Sequence, residues 1–483
     1  MLKKTLCILL SAVLLCGMFT LVSCDNSPQS NRYEITAEYT PDTGMVTADM
    51  TFTYVNSTQN EISVLKFNLF PNAFREDARF QPVSSVYHSI AYYDGESYGN
   101  IEITSVEGAA SWEICGEDKN ILSVTLSQAL YPEEQAQIHI AFTLTLAKVN
   151  HRTGITEKVV NLGNFFPILC AYEEQNGFYE CVYYSDGDPF YSECADYDVS
   201  FTVPAGYSVA ASAAGKTAQK DGKVTYRYSL SSSRDFALAF GNGLEVCSQK
   251  LDGVTVSYYY YEDANPQETL QTACEALSYF SQSFGEYVYE SYSLVQTGFC
   301  YGGMEYPGMV LLSDALDREN YLYTVVHETA HQWWYAAVGN NQQEHAWMDE
   351  GLAEYSTLLF YETHETYGKT RKDMLHKALT NYKAYYSIYS QIFGESNTAM
   401  SRSLSTFISE YEYVNLTYNK GLILFDTLRE GIGDSRFFSG LKRYYTDYCY
   451  KIAAPEDMIN CFKKTGVDVE GLFDSFVSGT AVI

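Results

Sequence analysis

His327-Glu328-Thr329-Ala330-His331 is followed, nineteen positions later, by Glu350 in the run Trp347-Met348-Asp349-Glu350-Gly351-Leu352-Ala353-Glu354-Tyr355. Histidines at i and i+4 share one face of a helix, separated by roughly 6 Å of rise. That spacing lets two imidazoles reach one zinc ion at about 2.0–2.1 Å each. Glu328 lies about 100° further round the helix, so it can face a water on the metal without ligating it. A third ligand from a second helix leaves the fourth position open, the arrangement of a catalytic zinc.

The plain alternative is a helix with two satisfied core histidines, and the context argues against it. Ala337 occupies the place six positions after His331 where a third histidine would complete another zinc pattern. His345 is a rival ligand, but it follows the polar run Asn340-Asn341-Gln342-Gln343-Glu344, which reads as a loop. Glu350 opens an amphipathic stretch and is the better third ligand. Glu354, one turn further on, is placed to orient a ligand histidine, or else to lie on a solvated helix face.

At 483 residues the chain is long enough for several cores, and 46% hydrophobic content with 15% aromatics excludes general disorder. The net charge of −29 excludes a basic footprint for nucleic acid. Residues 1–23 read as an export signal, with Lys3-Lys4 before the apolar run Leu6 to Leu15. Leu21-Val22-Ser23-Cys24 resembles a bacterial lipobox, which makes Cys24 the lipidated N-terminus of the mature chain. The expected location is therefore extracytoplasmic, tethered by lipid to a bacterial membrane or envelope. Residues 24–32 read as a flexible tether. Nine cysteines follow Cys24 with no C-x-x-C pair, so they form no zinc knuckle; their odd number implies at least one free thiol.

Residues 33 to about 146 read as strands. Ile35, Ala37 and Tyr39 alternate with polar neighbours, as do Met50, Phe52 and Tyr54. This predicts a β-sandwich or saddle with one buried face per sheet. From 147 to 197 the pattern is irregular and aromatic, and long irregular segments in compact proteins are often functional. Alternation resumes to Tyr261. A domain boundary is placed near Glu262-Asp263-Ala264-Asn265-Pro266, dividing a β domain (33–262) from a second domain (263–483). Asn265 and Glu268 suggest a capping box with Pro266 at the first helical position. Ser293–Gln296 and Met309–Leu312 read as strands. The histidine helix is expected over about 318–338 and the Glu350 helix over about 349–364, and helices continue to the end.

Four stretches in order resemble one family, the gluzincin zinc aminopeptidases that include aminopeptidase N and leukotriene A4 hydrolase. They are Gly302-Gly303-Met304-Glu305, His327 to Trp333, Asp349-Glu350-Gly351 and Tyr418-Asn419-Lys420-Gly421. The resemblance covers about residues 33–483, with no counterpart of the long C-terminal superhelical domain of many members. It implies a thermolysin-like catalytic domain with a helical C-terminal part, one zinc ion per chain and peptide substrates. By that resemblance His327, His331 and Glu350 hold zinc, and Glu328 is the general base. Glu305 receives the substrate's α-amine, Gly302, Gly303 and Met304 line the bound peptide, and Tyr418 donates to the oxyanion. Tyr306 departs from the family's asparagine after Glu305. The second acid that grips the amine is not evident; Glu173, Glu174 and Glu180 are candidates. The leading expectation is a lipid-anchored zinc aminopeptidase. An endopeptidase or dipeptidase with the same chemistry, or a non-catalytic surface-binding lipoprotein, are the alternatives. Oligomeric state is not legible.

Overall fold

A computed structural model describes residues 30–394, 396–481 and 483. The export signal and Cys24 lie outside the described residues. Of the tether, Arg32 already belongs to the first strand, Arg32–Thr40.

The alternation of apolar and polar residues builds the N-terminal region. Tyr33, Ile35, Ala37 and Tyr39 are buried on one face of Arg32–Thr40, and Met50, Phe52 and Tyr54 on its neighbour Met45–Val55. The two pair antiparallel across the Asp42-Thr43-Gly44 turn. On its other edge Arg32–Thr40 runs parallel to Ala195–Pro204, within a seven-stranded sheet. Tyr33 stacks on Tyr197 with ring centroids 4.9 Å apart. Two four-stranded sheets and a two-stranded ribbon, Tyr172–Glu173 with Gly177–Phe178, complete the β region, and the apolar faces of the larger sheets merge into one core.

The second region is built on a five-stranded sheet. Its order is Glu245–Leu251, Val254–Tyr260, Ser291–Thr297, Met309–Ser313 and Gly303–Met304. Helix Pro266–Phe284 is the crossover between the parallel strands Val254–Tyr260 and Ser291–Thr297. The sheet therefore takes strands from both sides of residue 262, and a boundary drawn there cuts it. Pairing of Val254–Tyr260 with a strand 31 residues later overrides the local turn signal that suggested the boundary. Asn265 makes no side-chain cap; Glu268 instead pairs with Arg318. Helices follow the sheet and close a second core. No helix of the described residues is long and apolar enough to cross a membrane. The nine described cysteines are free thiols.

The histidine helix runs Arg318–Ala330, shorter than the periodicity predicts, with His331 as its C-cap. Asp317 caps its start by accepting from the Asn320 amide. The end is set by Arg234, a buried residue of the β region. Its guanidinium donates to the carbonyls of Tyr335 (2.8 Å) and Ala337 (3.3 Å), drawing them out of the helical ladder. Tyr335 takes a φ of 136° and the chain folds back through a bridge between Trp334 and Val338.

Candidate metal centre and cleft

The histidine helix packs against the Glu350 helix, Glu350–Thr363. Three donor atoms meet between them. His327 Nε2 lies 3.2 Å from His331 Nε2 and 3.3 Å from Glu350 Oε2, and His331 Nε2 lies 3.2 Å from the same carboxylate oxygen. Tetrahedral bonds of about 2.0–2.1 Å imply donor separations of about 3.3–3.4 Å, so the triangle fits a zinc ion. The charge balance fits as well. Glu305, Glu328 and Glu350 are buried around two imidazoles, and Glu354 stands beside them. Such a concentration of buried carboxylate calls for a cation.

The ring orientations are set by neighbours. His331 Nδ1 is 2.9 Å from the Trp334 carbonyl, the turn that Arg234 stabilises. His327 Nδ1 is 3.2 Å from Glu354 Oε2, and Tyr323 donates to the other oxygen of Glu354. Glu354 thus lies on the centre's second layer and not on a solvated face. His345, the rival ligand, sits elsewhere, 3.1 Å from Ser401 Oγ.

Glu328 is buried with Oε2 lacking any partner, and burial pushes its carboxyl up to about 7. A methyl on Gly303 would lie 2.3 Å from Glu328 Oε1, so only glycine lets the edge strand pass this close. Glu350 behaves oppositely. Burial opposes its charge, but the imidazoles of His331 and His327 hold its carboxyl well below the usual range.

The acids at the Glu305 end of the cleft are not the ones the sequence suggested. Glu305 is buried near His331 and Glu328, and Gln342 Nε2 donates to it at 3.3 Å. The same amide bonds Asp349 at 2.6 Å, so it links the two motifs that carry Glu305 and Glu350. Glu173, Glu174 and Glu180 do not line the cleft. Glu173 holds Asn176, Glu174 holds Asn60, and Glu180 pairs with Lys66. The acid that reaches Glu305 and Glu350 is Asp188, with donor oxygens within 4.8 Å of one another. Asp188 is fixed by a buried ion pair with Arg152. Neither residue carries a local sequence signal, because the pairing closes over thirty-six positions. The polar run 340–344 is also not a free loop: Gln342–His345 form a short helix capped by Asn341, and the first four residues of the run are held in place. All four side chains are buried, and Gln343 ties the run to the carbonyls of Val182 (2.8 Å) and Pro189 (3.1 Å).

Tyr306 turns away from the cleft. Its hydroxyl donates to Asn164 at 2.9 Å, and a methyl on Gly163 would overlap it. Its carbonyl accepts from Gln332, which also accepts from the Gly308 amide. Its side chain therefore joins the edge strand to the β region.

Tyr418 lies in a single π-helical turn, Asn415–Asn419, just before helix Lys420–Ile432. Such turns concentrate at functional sites. Its ring stacks on His327 with centroids 5.9 Å apart. Tyr413, unremarkable in a chain with 44 tyrosines, also lines the cleft with a buried and unpartnered hydroxyl. The cleft has a volume of about 420 Å³ and extends along the histidine helix past Thr324 and Asn320.

Residues 268–476 match the family described as Peptidase family M1 domain. Human aminopeptidase RNPEPL1 is 28% identical over 38% of this chain and 26% of its own length. Human endoplasmic reticulum aminopeptidase 2 is 25% identical over 43% of this chain and 22% of its own length. The chain thus spans about a quarter of the length of these curated relatives. The crystal structure of an M1 zinc metallopeptidase from Deinococcus radiodurans superposes with a TM-score of 0.64 at 18% identity, covering 95% of this chain and 94% of that one. A mutant of that enzyme bound to a Tyr-Ser-Ala substrate matches equally, covering 94% of this chain and 95% of that one.

Proposed function

The chain belongs to the gluzincin zinc aminopeptidase family, peptidase family M1, and on that premise we propose that it is a zinc-dependent aminopeptidase removing N-terminal residues from peptides. The observation that carries this reading is the donor triangle of 3.2–3.3 Å with the unpartnered Glu328 carboxylate beside it in an open cleft.

His327, His331 and Glu350 would hold the ion. Bound zinc lowers the pKa of a water from 15.7 toward about 7 and polarises the scissile carbonyl. Glu328 takes the proton of the attacking water as its oxygen bonds the carbonyl carbon, and returns that proton to the leaving amine as the C–N bond breaks. A carboxyl already pushed up by burial suits both halves of that transfer. The Tyr418 hydroxyl donates to the oxyanion of the tetrahedral intermediate. Glu305 and Asp188 receive the α-ammonium, while Gln342 and Arg152 hold them in place. Gly302, Gly303 and Met304 form the wall along which the peptide backbone lies. Two buried acids side by side in the cleft favour a free amine over a blocked one, which supports exopeptidase action over endopeptidase action.

The Leu21-Val22-Ser23-Cys24 sequence supports export and lipid anchoring, so the substrates are peptides outside the cytoplasm. The test is hydrolysis of aminoacyl reporters by the wild type, by Glu328→Gln and by chelator-treated protein. Activity only in the untreated wild type, restored to the chelated sample by zinc, is the expected result. A Glu328→Gln variant as active as the wild type defeats the reading. Equal cleavage of free and N-acetylated peptides defeats the aminopeptidase part alone.

A further inference from the structure

The cleft holds two further acids that the chemistry above leaves unused, Asp186 and Glu410. Their place along it follows from its walls. The edge strand leads from Tyr301 through Gly303, beside Glu328, to Glu305. The segment 185–188 runs alongside in the same direction. At one end the Tyr301 hydroxyl donates to the Ser185 carbonyl at 2.9 Å, and at the other Asp188 reaches Glu305. With the α-amine at Glu305 and Asp188 and cleavage beside Glu328, a peptide lies antiparallel to the edge strand. Its leaving part then points toward Tyr301 and Ser185. From Gly303 to Tyr301 is two residues of strand, about 7 Å, so Asp186 stands near the first or second residue after the cleaved bond.

Glu410 comes to the same place from helix Glu410–Val414, with Tyr413 one turn on. Tyr87 packs on Tyr301 with ring centroids 5.0 Å apart. Burial pushes the Glu410 carboxyl above its ordinary range, against a hydrogen bond from Tyr87 and with the help of Asp186. Burial alone does the same to Asp186. Among the described residues no lysine or arginine pairs with either acid; Arg152 is taken by Asp188 and Lys369 by Glu319. Two polar atoms here are also unsatisfied. Asp186 Oδ1 is buried without a partner, and so is the hydroxyl of Tyr413, a residue only 3% exposed. A methyl on Gly187, between Asp186 and Asp188, would lie 3.0 Å from that hydroxyl. Buried polar atoms left unpaired on a cleft wall mark a place that a ligand completes.

Resting on the aminopeptidase reading above, we propose that Asp186 and Glu410 form a subsite for a basic side chain downstream of the cleaved bond, so that the substrate class is peptides with lysine or arginine at the second or third residue. Neither acid belongs to a group of three donors close enough to share one metal ion, so a cation carried on a flexible arm fits where a bare ion does not. The cationic head supplies the countercharge that both carboxyls lack, and the Tyr413 hydroxyl adds an acceptor for its N–H groups. The apolar stem of the same side chain lies against Tyr87 and Tyr301.

The experiment measures release of the first residue from alanine tetrapeptides carrying lysine or its uncharged isostere norleucine at position two or three. The proteins are the wild type, Asp186→Asn, Glu410→Gln, the double variant, and a control with Glu102→Gln and Glu107→Gln on the exposed β surface. Taking the lysine-to-norleucine ratio within each protein cancels any loss of fold or turnover common to both peptides. The expected wild-type ratio is about tenfold in kcat/KM at one of the two positions, residing in KM and reduced by salt. It falls in each single variant, approaches unity in the double variant and is kept in the control. Calorimetric binding of the same peptide pair to Glu328→Gln reads the preference without turnover. A ratio near unity in the wild type, one that survives in the double variant, or one that falls equally in the control overturns the inference and leaves the aminopeptidase reading standing. Failure of the wild type to cleave any of the peptides overturns the aminopeptidase reading and the inference with it.

Discussion

Gly351 and Gly421 meet backbone to backbone. A methyl built on Gly421 would lie 2.7 Å from the Gly351 Cα, and one on Gly351 would lie 3.1 Å from the Gly421 Cα. The two glycines end the Asp349-Glu350-Gly351 and Tyr418-Asn419-Lys420-Gly421 motifs. Their contact brings a candidate metal ligand and a candidate oxyanion donor to one side of the cleft. Replacing Gly421 with alanine forces the helices apart. The expected cost is about 1–3 kcal/mol of stability, together with loss of zinc retention, as read by thermal unfolding and metal analysis of the purified protein. A Gly421→Ala protein with wild-type melting and full zinc content would show that the contact positions nothing.

Glu354 stands 3.2 Å from His327 Nδ1 and receives the Tyr323 hydroxyl. Its substitution by glutamine keeps the shape and removes the charge that orients the imidazole. Zinc affinity, measured by competition with a chromophoric chelator, is expected to fall about 10–100-fold. An unchanged affinity would remove Glu354 from the centre's support.

Tyr418 stacks on His327, and Tyr413 presents a second free hydroxyl to the same cleft. If Tyr418 stabilises the oxyanion, Tyr418→Phe lowers kcat by about 10²–10³ with KM little changed, because the hydrogen bond forms only as charge develops. The Tyr413→Phe variant should show a smaller loss. The reverse ranking in steady-state kinetics would assign the role to Tyr413.

Asp235 is buried in the β region, accepting from the Phe236 amide and from Asn164, which in turn accepts from Tyr306. Burial pushes its carboxyl up to about 8, against an unfolded value of about 3.9. Between those values the fold keeps a proton that the unfolded chain has released, so this group's contribution is lost as pH rises. The slope is at most about 1.4 kcal/mol per pH unit. Asp235→Asn removes the titration. Urea unfolding of both proteins at pH 5 and pH 8 should show the wild type losing stability relative to the variant as pH increases. The repulsion from the net charge of −29 acts on both and cancels in the comparison. Parallel curves would mean that Asp235 is already ionised in the fold.

Local spacing carried a large part of this protein. The i, i+4 histidines share one face because helical geometry converts sequence interval into direction, whereas Glu350, on the next helix, joins them through packing of the two helices. The alternation of Tyr33 to Tyr39 likewise placed the β core, since a strand turns each successive side chain to the opposite face. The tertiary structure decided the rest. Asp188 as the acid beside Glu305 and Glu350, Arg234 as the residue that stops the histidine helix, Gln342 as the bridge between two motifs, and the Gly351–Gly421 contact all join segments distant in the chain. No periodicity encodes such pairings, because the partner that satisfies a buried charge or carbonyl is chosen by how the sheets and helices pack and not by its neighbours in sequence.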